Sequence, residues 1–234
     1  MTLRDIGLWI RSARADATIR RKSRAYGVAR AFDELYRDDQ DPYGAADRRY
    51  RYQDRKYAML LSFLPARRYR HVLELGCGVG AFSRALAIHA ERVTGIDISA
   101  NAIQHATALS RKYLNLSFRA GDVHTFDPDG RQYDLIVAAD VLYYAVPSAQ
   151  EPALAAVANR LAACLAPGGM VLLADHYFFG LDAASRITQA IHDTFPQAAG
   201  LQIQSRHFRC FYLATLLQRA NGHAAPDGEK PGGR

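Results

Sequence analysis

The sequence predicts an α/β fold, a parallel sheet with helices on both faces. Two observations carry this. From about Val72 onward, short apolar runs alternate with helical patterns, the rhythm of strand–helix–strand units. The stretch HVLELGCGVGAFSRALAIHAERVTGID, His71 to Asp97, reads as one such unit: an apolar strand, a glycine-dense turn, a helix, and a second strand ending in an acid. At 234 residues, 49% of them hydrophobic, the chain is long enough for one well-buried domain plus an appendage.

Taken in order, residues 1–70 do not fit that rhythm. They read as helices broken at DDQDPYG, where Pro42 and Gly44 mark a turn. The start, MTLRDIGLWIRSARADATIRRKSR, is arginine-rich and acid-poor. That is the composition of a transit peptide, but it reads better as an amphipathic helix with a solvated basic face. Residues 1–70 carry 17 Lys and Arg against 9 Asp and Glu, and the remainder 13 against 14. The basic excess is therefore N-terminal, where it suits an anionic substrate, a membrane surface, nucleic acid or simply solvent. Seven of the 13 tyrosines fall in the same segment. A segment placed before the first strand of an open sheet can fold over the strand ends where ligands sit, so 1–70 is expected to be a helical lid.

Within 71–220, Val72–Leu75, Val93–Ile96, Leu116–Arg119, Leu135–Ala138 and Val171–Ala174 read as buried strands. Ala81–His89, Ala100–Lys112 and Ala153–Leu165 read as helices. LQIQSRHFRCFYLATLLQ alternates and reads as two closing strands, one of them antiparallel. Residues 221–234, NGHAAPDGEKPGGR, read as a disordered tail. No apolar run approaches bilayer length. The cysteines, Cys77, Cys164 and Cys210, are scattered and odd in number, which suits reduced thiols in a cytoplasmic protein. No His/Cys spacing suggests structural zinc.

The glycine turn excludes some ligands. A P-loop needs a lysine that nothing here supplies. A dinucleotide fingerprint is met by Gly76, Gly78 and Ala81, with Asp97 placed for ribose hydroxyls. Adding Glu74 and Gly80 gives ELGCGVG, a turn able to pass beneath an adenosine with a zwitterionic amino-acid tail and no pyrophosphate. Asp97 would then accept from both ribose hydroxyls. GDVHTF sets Asp122 after the third strand to accept from an adenine amino group, with the Val123 amide reaching a ring nitrogen. YDLIVAADVLYY ends the fourth strand at Asp140 and two tyrosines, and LAPGG turns the chain into the fifth.

LELGCGVG, the acid at Asp97, GDV, DLIVAADVLYY and LAPGG together resemble the class I S-adenosylmethionine (SAM)-dependent methyltransferases over about Val72–Asp175. The resemblance implies a Rossmann-like, seven-stranded, mostly parallel sheet with one antiparallel strand. It implies that Gly76, Gly78 and Gly80 line the methionine part of SAM, that Asp97 and the adjoining Ile98 hold its ribose, that Asp122 and Val123 hold its adenine, and that Ala139 and Asp140 lie near its methionine end. FDELYRDDQDPYGAADRRYRYQDRKYAMLLSFLP further resembles the segment before the SAM loop in nodulation N-methyltransferases (NodS-like), which methylate an amino-sugar nitrogen. Those proteins typically carry DPW where Asp41-Pro42-Tyr43 stands here, a departure within the expected lid.

The expectation is a SAM-dependent N- or O-methyltransferase of a small polar acceptor, an amino sugar or natural-product intermediate, with no metal. A nucleic-acid methyltransferase, a non-catalytic SAM-binding regulator and an NAD oxidoreductase compete with it. ADVLYY is not the run typical of base-amino methylation, no RNA-binding module is appended, and the later motifs oppose NAD. The acceptor amine must lose a proton, to a carboxylate, a histidine or a water route. His176, Asp140 and Tyr144 are the catalytic candidates. Tyr43, Tyr143, Tyr144, His176 and Tyr177 are expected at the acceptor, and Tyr57 at the cofactor. Lid tyrosines could exclude water and attract a cation by about 0.5–2 kcal/mol. Cys77 reads as a small turn residue, and His105, His124, His192 and His207 as non-functional.

Overall fold

The computed structural model describes residues 3–47, 50–128, 130–146, 151–209 and 211–219. Three helices come first: α1 (Leu3–Tyr26), α2 (Val28–Asp38) and α3 (Arg51–Ser62). Then follow β1 (Tyr69–Leu75), α4 (Ala81–Leu86), β2 (Ala90–Asp97), α5 (Ala100–Leu109), β3 (Leu116–Ala120), β4 (Tyr133–Ala139), α6 (Leu142–Ala145), α7 (Glu151–Ala163), β5 (Leu165–His176), α8 (Ala183–Ala199), β6 (Leu201–Phe208) and β7 (Tyr212–Arg219). The seven strands form one sheet in the order β3-β2-β1-β4-β5-β7-β6. β1 to β5 pair in parallel, while β7 runs antiparallel between β5 and β6.

Central strands are apolar throughout because both faces are covered. In β4, Ile136 and Ala138 join one core cluster, while Leu135 and Val137 join the other. Burying each large aliphatic side chain contributes about 1.5–3 kcal/mol. A third cluster, with Ala15, Phe32, Leu35 and Tyr36 against Val79 and Ala102, seats α1 and α2 on the glycine turn and α5.

Several boundaries differ from expectation. α4 ends at Leu86, not His89, because Ala90 already pairs with Tyr69 at the start of β2. α5 stops at Leu109 and α7 at Ala163. LAPGG is not a free turn. Leu165 pairs with Tyr133, and the register then jumps so that Met170 pairs with Leu135. A Cβ on Gly169 would stand 2.8 Å and 2.9 Å from the carbonyl oxygens of Ala166 and Tyr133, so only glycine fits this irregularity. The expected tail, 221–234, lies outside the described residues.

Candidate active site

The site is built at the C-terminal edge of the parallel strands, where an open α/β sheet offers a crevice. β1 delivers the chain into the turn Gly76–Gly80. There the Gly78 amide donates to Oδ2 of Asp97 at 2.8 Å, and the Ser99 amide donates to Oδ1 at 2.9 Å. Asp97 is 7% exposed, and burial holds its carboxyl above the ordinary range despite these amides. Gly78 has φ 52°, and a Cβ there would lie 2.8 Å from the Tyr36 hydroxyl. The turn is thus a cradle whose glycine positions have no room for a side chain. Glu74, buried at the end of β1, accepts a hydrogen bond from Ser83 of α4. Burial pushes its carboxyl up to about 8, the Ser83 bond only partly opposing.

The N-terminal helices are fastened across this edge. Asp33 of α2 accepts from the Ser99 hydroxyl and the Asn101 amide, both at 3.0 Å, at the start of α5. Nε2 of His105 meets the Tyr36 carbonyl oxygen at 3.1 Å. Between α2 and α3, Asp41 accepts from the amides of Ala45 and Ala46 at 2.8 Å and 3.0 Å, closing the turn that the sequence marks with Pro42 and Gly44. The hydroxyls of Tyr43 and Tyr144 lie 3.3 Å apart, and Tyr144 also donates to Asp16 of α1. The Tyr144 ring meets Phe32 edge-on at 5.0 Å, and Tyr143 at 4.4 Å. Burial raises the phenols of Tyr43, Tyr143 and Tyr144, keeping them protonated donors.

At the next strand ends, Asp140 takes φ 54° just past β4 while its amide donates to the Ala174 carbonyl at 2.8 Å. Its carboxylate pairs with the ammonium of Lys56 from α3. Lys56 also lies over the Tyr212 ring at 5.6 Å, and Tyr212 pairs with His176 across β7 and β5. His176 Nε2 stands 3.3 Å from Oδ2 of Asp182, the cap of α8. Beneath the edge, His192 joins Asp175 at 3.2 Å to Thr215 at 2.8 Å, all three buried.

The sequence-derived residues therefore separate into groups. Glu74, Gly76, Gly78 and Gly80 belong to the passage from β1 into α4, and Asp97 and Ile98 to the end of β2 beside it. Asp122 follows β3, where its Oδ1 caps the His124 amide at 2.8 Å, and Val123 beside it is buried. Tyr43 and Tyr144 meet through their hydroxyls, Ala139 and Asp140 lie at the end of β4, and Tyr143 sits beside Tyr144 on α6. His176 and Tyr177 sit at the end of β5, Tyr177 against Phe208 at 5.7 Å. Tyr57 stacks on Phe82 of α4 at 4.6 Å. It lines an open groove of about 800 Å³ with Ala46, Leu61 and Arg84, a groove whose lining includes neither Asp97 nor Asp122. Sequence reasoning assigned no role to Asp16, Asp33 or Tyr36; the tyrosine-rich character of the segment was their one signal. Among the described residues, no three His, Cys, Asp or Glu side chains group as a metal site. No helix among them is long and apolar enough to cross a membrane.

Residues 72–169 match the family described as Methyltransferase domain. With the strand order and the glycine turn latched to Asp97, this stretch has the fold of the class I SAM-dependent methyltransferases. Within that class it is similar to nodulation protein S of Rhizobium tropici, 34% identical over 150 residues, 64% of this chain and 56% of that protein. A ubiquinone biosynthesis O-methyltransferase of Coxiella burnetii is 34% identical over 101 residues, 43% of this chain and 41% of that protein. The chain spans about half the length of the curated relatives it matches. Among solved structures, the N-methyltransferase NodS of Bradyrhizobium japonicum WM9 in complex with S-adenosyl-L-homocysteine (SAH) superposes with a TM-score of 0.64 at 23% identity. That match covers 79% of this chain and 95% of the other.

Proposed function

We propose that the protein transfers a methyl group from SAM to a nitrogen or oxygen of a small polar acceptor. The observation that carries this reading is the glycine cradle latched to the buried Asp97, roofed by tyrosine-bearing helices. The residues fit the cofactor. Asp97 keeps lone pairs for two ribose hydroxyls after accepting from Gly78 and Ser99, Asp122 and Val123 would flank the adenine, and Gly76–Gly80 would pass beneath the amino-acid part. SAM supplies a methyl group on a sulfonium, which a lone pair on the acceptor takes up as the carbon–sulfur bond breaks and its electrons stay on sulfur.

The chain's own contribution is to hold, orient and dry. Tyr43, Tyr143 and Tyr144 exclude water beside Asp140 and offer ring faces to a cation. Asp140 or His176 receives the acceptor's proton, and Tyr144 orients the group that bears it. In this reading residues 1–70 act as a lid, since Tyr36 stands over Gly78 and the ligand enters when α2 lifts from α5. Tyr43, Tyr143, Tyr144, His176 and Tyr177 meet the acceptor. Their hydroxyl, imidazole and ring groups suit an amino sugar, and the likeness to the N-methyltransferase NodS supports a nitrogen acceptor.

The test is incubation with methyl-labelled SAM and an extract of the source organism, followed by fractionation. Label in a small molecule is the expected result. Label only in nucleic acid or protein would overturn the acceptor class, and no transfer at all would leave a SAM-binding regulator.

A further inference from the structure

Lys56 is 5% exposed and is carried by α3, an element outside the strand–helix units that hold the cofactor residues. A buried ammonium needs a partner, and two carboxylates lie close at hand. Asp175 is wholly buried, and its Oδ1 accepts no hydrogen bond from any described group. Asp140 is the other, with its side chain 36% exposed at the mouth of the strand edge. Asp175 keeps His192 on its Oδ2, but stability alone would still favour pairing Lys56 with the orphaned Oδ1, because a buried polar atom without a partner is costly. The ammonium instead engages Asp140. Asp140 is also held in the left-handed region, φ 54°, which a residue with a side chain rarely adopts. Such strain persists where the surroundings over-determine it, and here the Ala174 carbonyl holds its amide while Lys56 holds its carboxylate.

We propose that Lys56 is a positioning residue for methyl transfer. Its ammonium takes Oδ2 of Asp140 and fixes that carboxylate, leaving Oδ1 to accept the hydrogen bond, and then the proton, of the acceptor's N–H or O–H. The pair is neutral as a whole, so the site favours an uncharged amine or hydroxyl over an ammonium, which has no lone pair to give. Because Lys56 comes from α3, the acceptor end is complete only when the N-terminal segment is docked. The inference rests on the methyl-transfer reading above.

The experiment compares Lys56→Met, Lys56→Arg, Asp140→Asn and the Lys56→Met/Asp140→Asn double variant. Two quantities are measured: the initial rate of label transfer from SAM into the small-molecule fraction of the extract, and SAH affinity by calorimetry. Lys56→Met is expected to lower the rate by about 10²-fold, the cost of a misplaced reacting group, with SAH affinity held within about threefold. Lys56→Arg should restore part of the rate. The double variant should be no slower than Asp140→Asn, as for two residues acting as a unit. A Lys56→Met rate within twofold of wild type, or losses that multiply in the double variant, would overturn the proposal. If Lys56→Met loses SAH binding with its fold, Asp140→Asn decides: wild-type rates there overturn the proposal and a comparable loss supports it. A wild-type protein that transfers no label sinks the methyl-transfer reading itself, and this inference with it.

Discussion

The Gly78 amide donates to Oδ2 of Asp97 at 2.8 Å, tying the turn after β1 to the acid that ends β2. The carboxylate therefore has two tasks: it shapes the cradle and it offers acceptors to a ribose. Asp97→Ala removes both and should weaken SAH binding by at least about 1.5–3 kcal/mol, the range for hydrogen bonds to a charged group. Asp97→Asn keeps one acceptor oxygen and should lose less. Equal affinity for wild type and Asp97→Ala in a calorimetric titration would remove Asp97 from the site.

A second prediction concerns the roof. Tyr144 donates to Asp16 and lies 3.3 Å from the Tyr43 hydroxyl, so one phenol joins α1, the turn before α3 and α6. Tyr144→Phe should loosen the 40–47 turn while leaving the core intact. Hydrogen exchange there should quicken in the variant and slow when SAH is added to wild type. Unchanged exchange in both experiments would mean that the segment does not act as a lid.

The buried Glu74 carboxyl makes a third prediction about pH. Its folded value is raised from 4.5 to about 8 by burial. The neutral acid is the form the fold accommodates, so its contribution is fully present below 4.5 and is lost as pH rises through about 8. Glu74→Gln, neutral at every pH, removes that loss. Urea unfolding at several pH values should show wild type losing more stability than Glu74→Gln between pH 5 and pH 8.5. Parallel pH profiles would contradict the assignment.

Metal independence is the fourth. Asp140 is held by Lys56 and Asp175 by His192, so each of these neighbouring carboxylates already has a cationic or hydrogen-bonding partner. Methyl transfer should survive EDTA. Turnover lost in EDTA and restored by magnesium would refute this.

What the sequence disclosed follows the range of the interactions. The strand–turn–strand unit from His71 to Asp97 was legible because its glycines and acid act within 19 residues, as the Gly78–Asp97 bond shows. The pairing of Lys56 with Asp140 spans 84 residues and that of Asp33 with Ser99 spans 66. No local pattern encodes such contacts. α8 has local marks, an Asp182 cap and a Gly200 stop, yet it went unassigned because it falls beyond the last strong motif. The register jump at Leu165–Met170 stayed hidden because Pro-Gly-Gly reads equally well as a plain turn.

The central claim is that the turn Gly76–Gly80 and Asp97 form a SAM site. The most direct measurement is calorimetric titration of the purified protein with SAM, SAH and NAD in parallel. The account predicts saturable binding of SAM and SAH at one site per chain, and none of NAD. NAD binding without heat from SAM or SAH would contradict it.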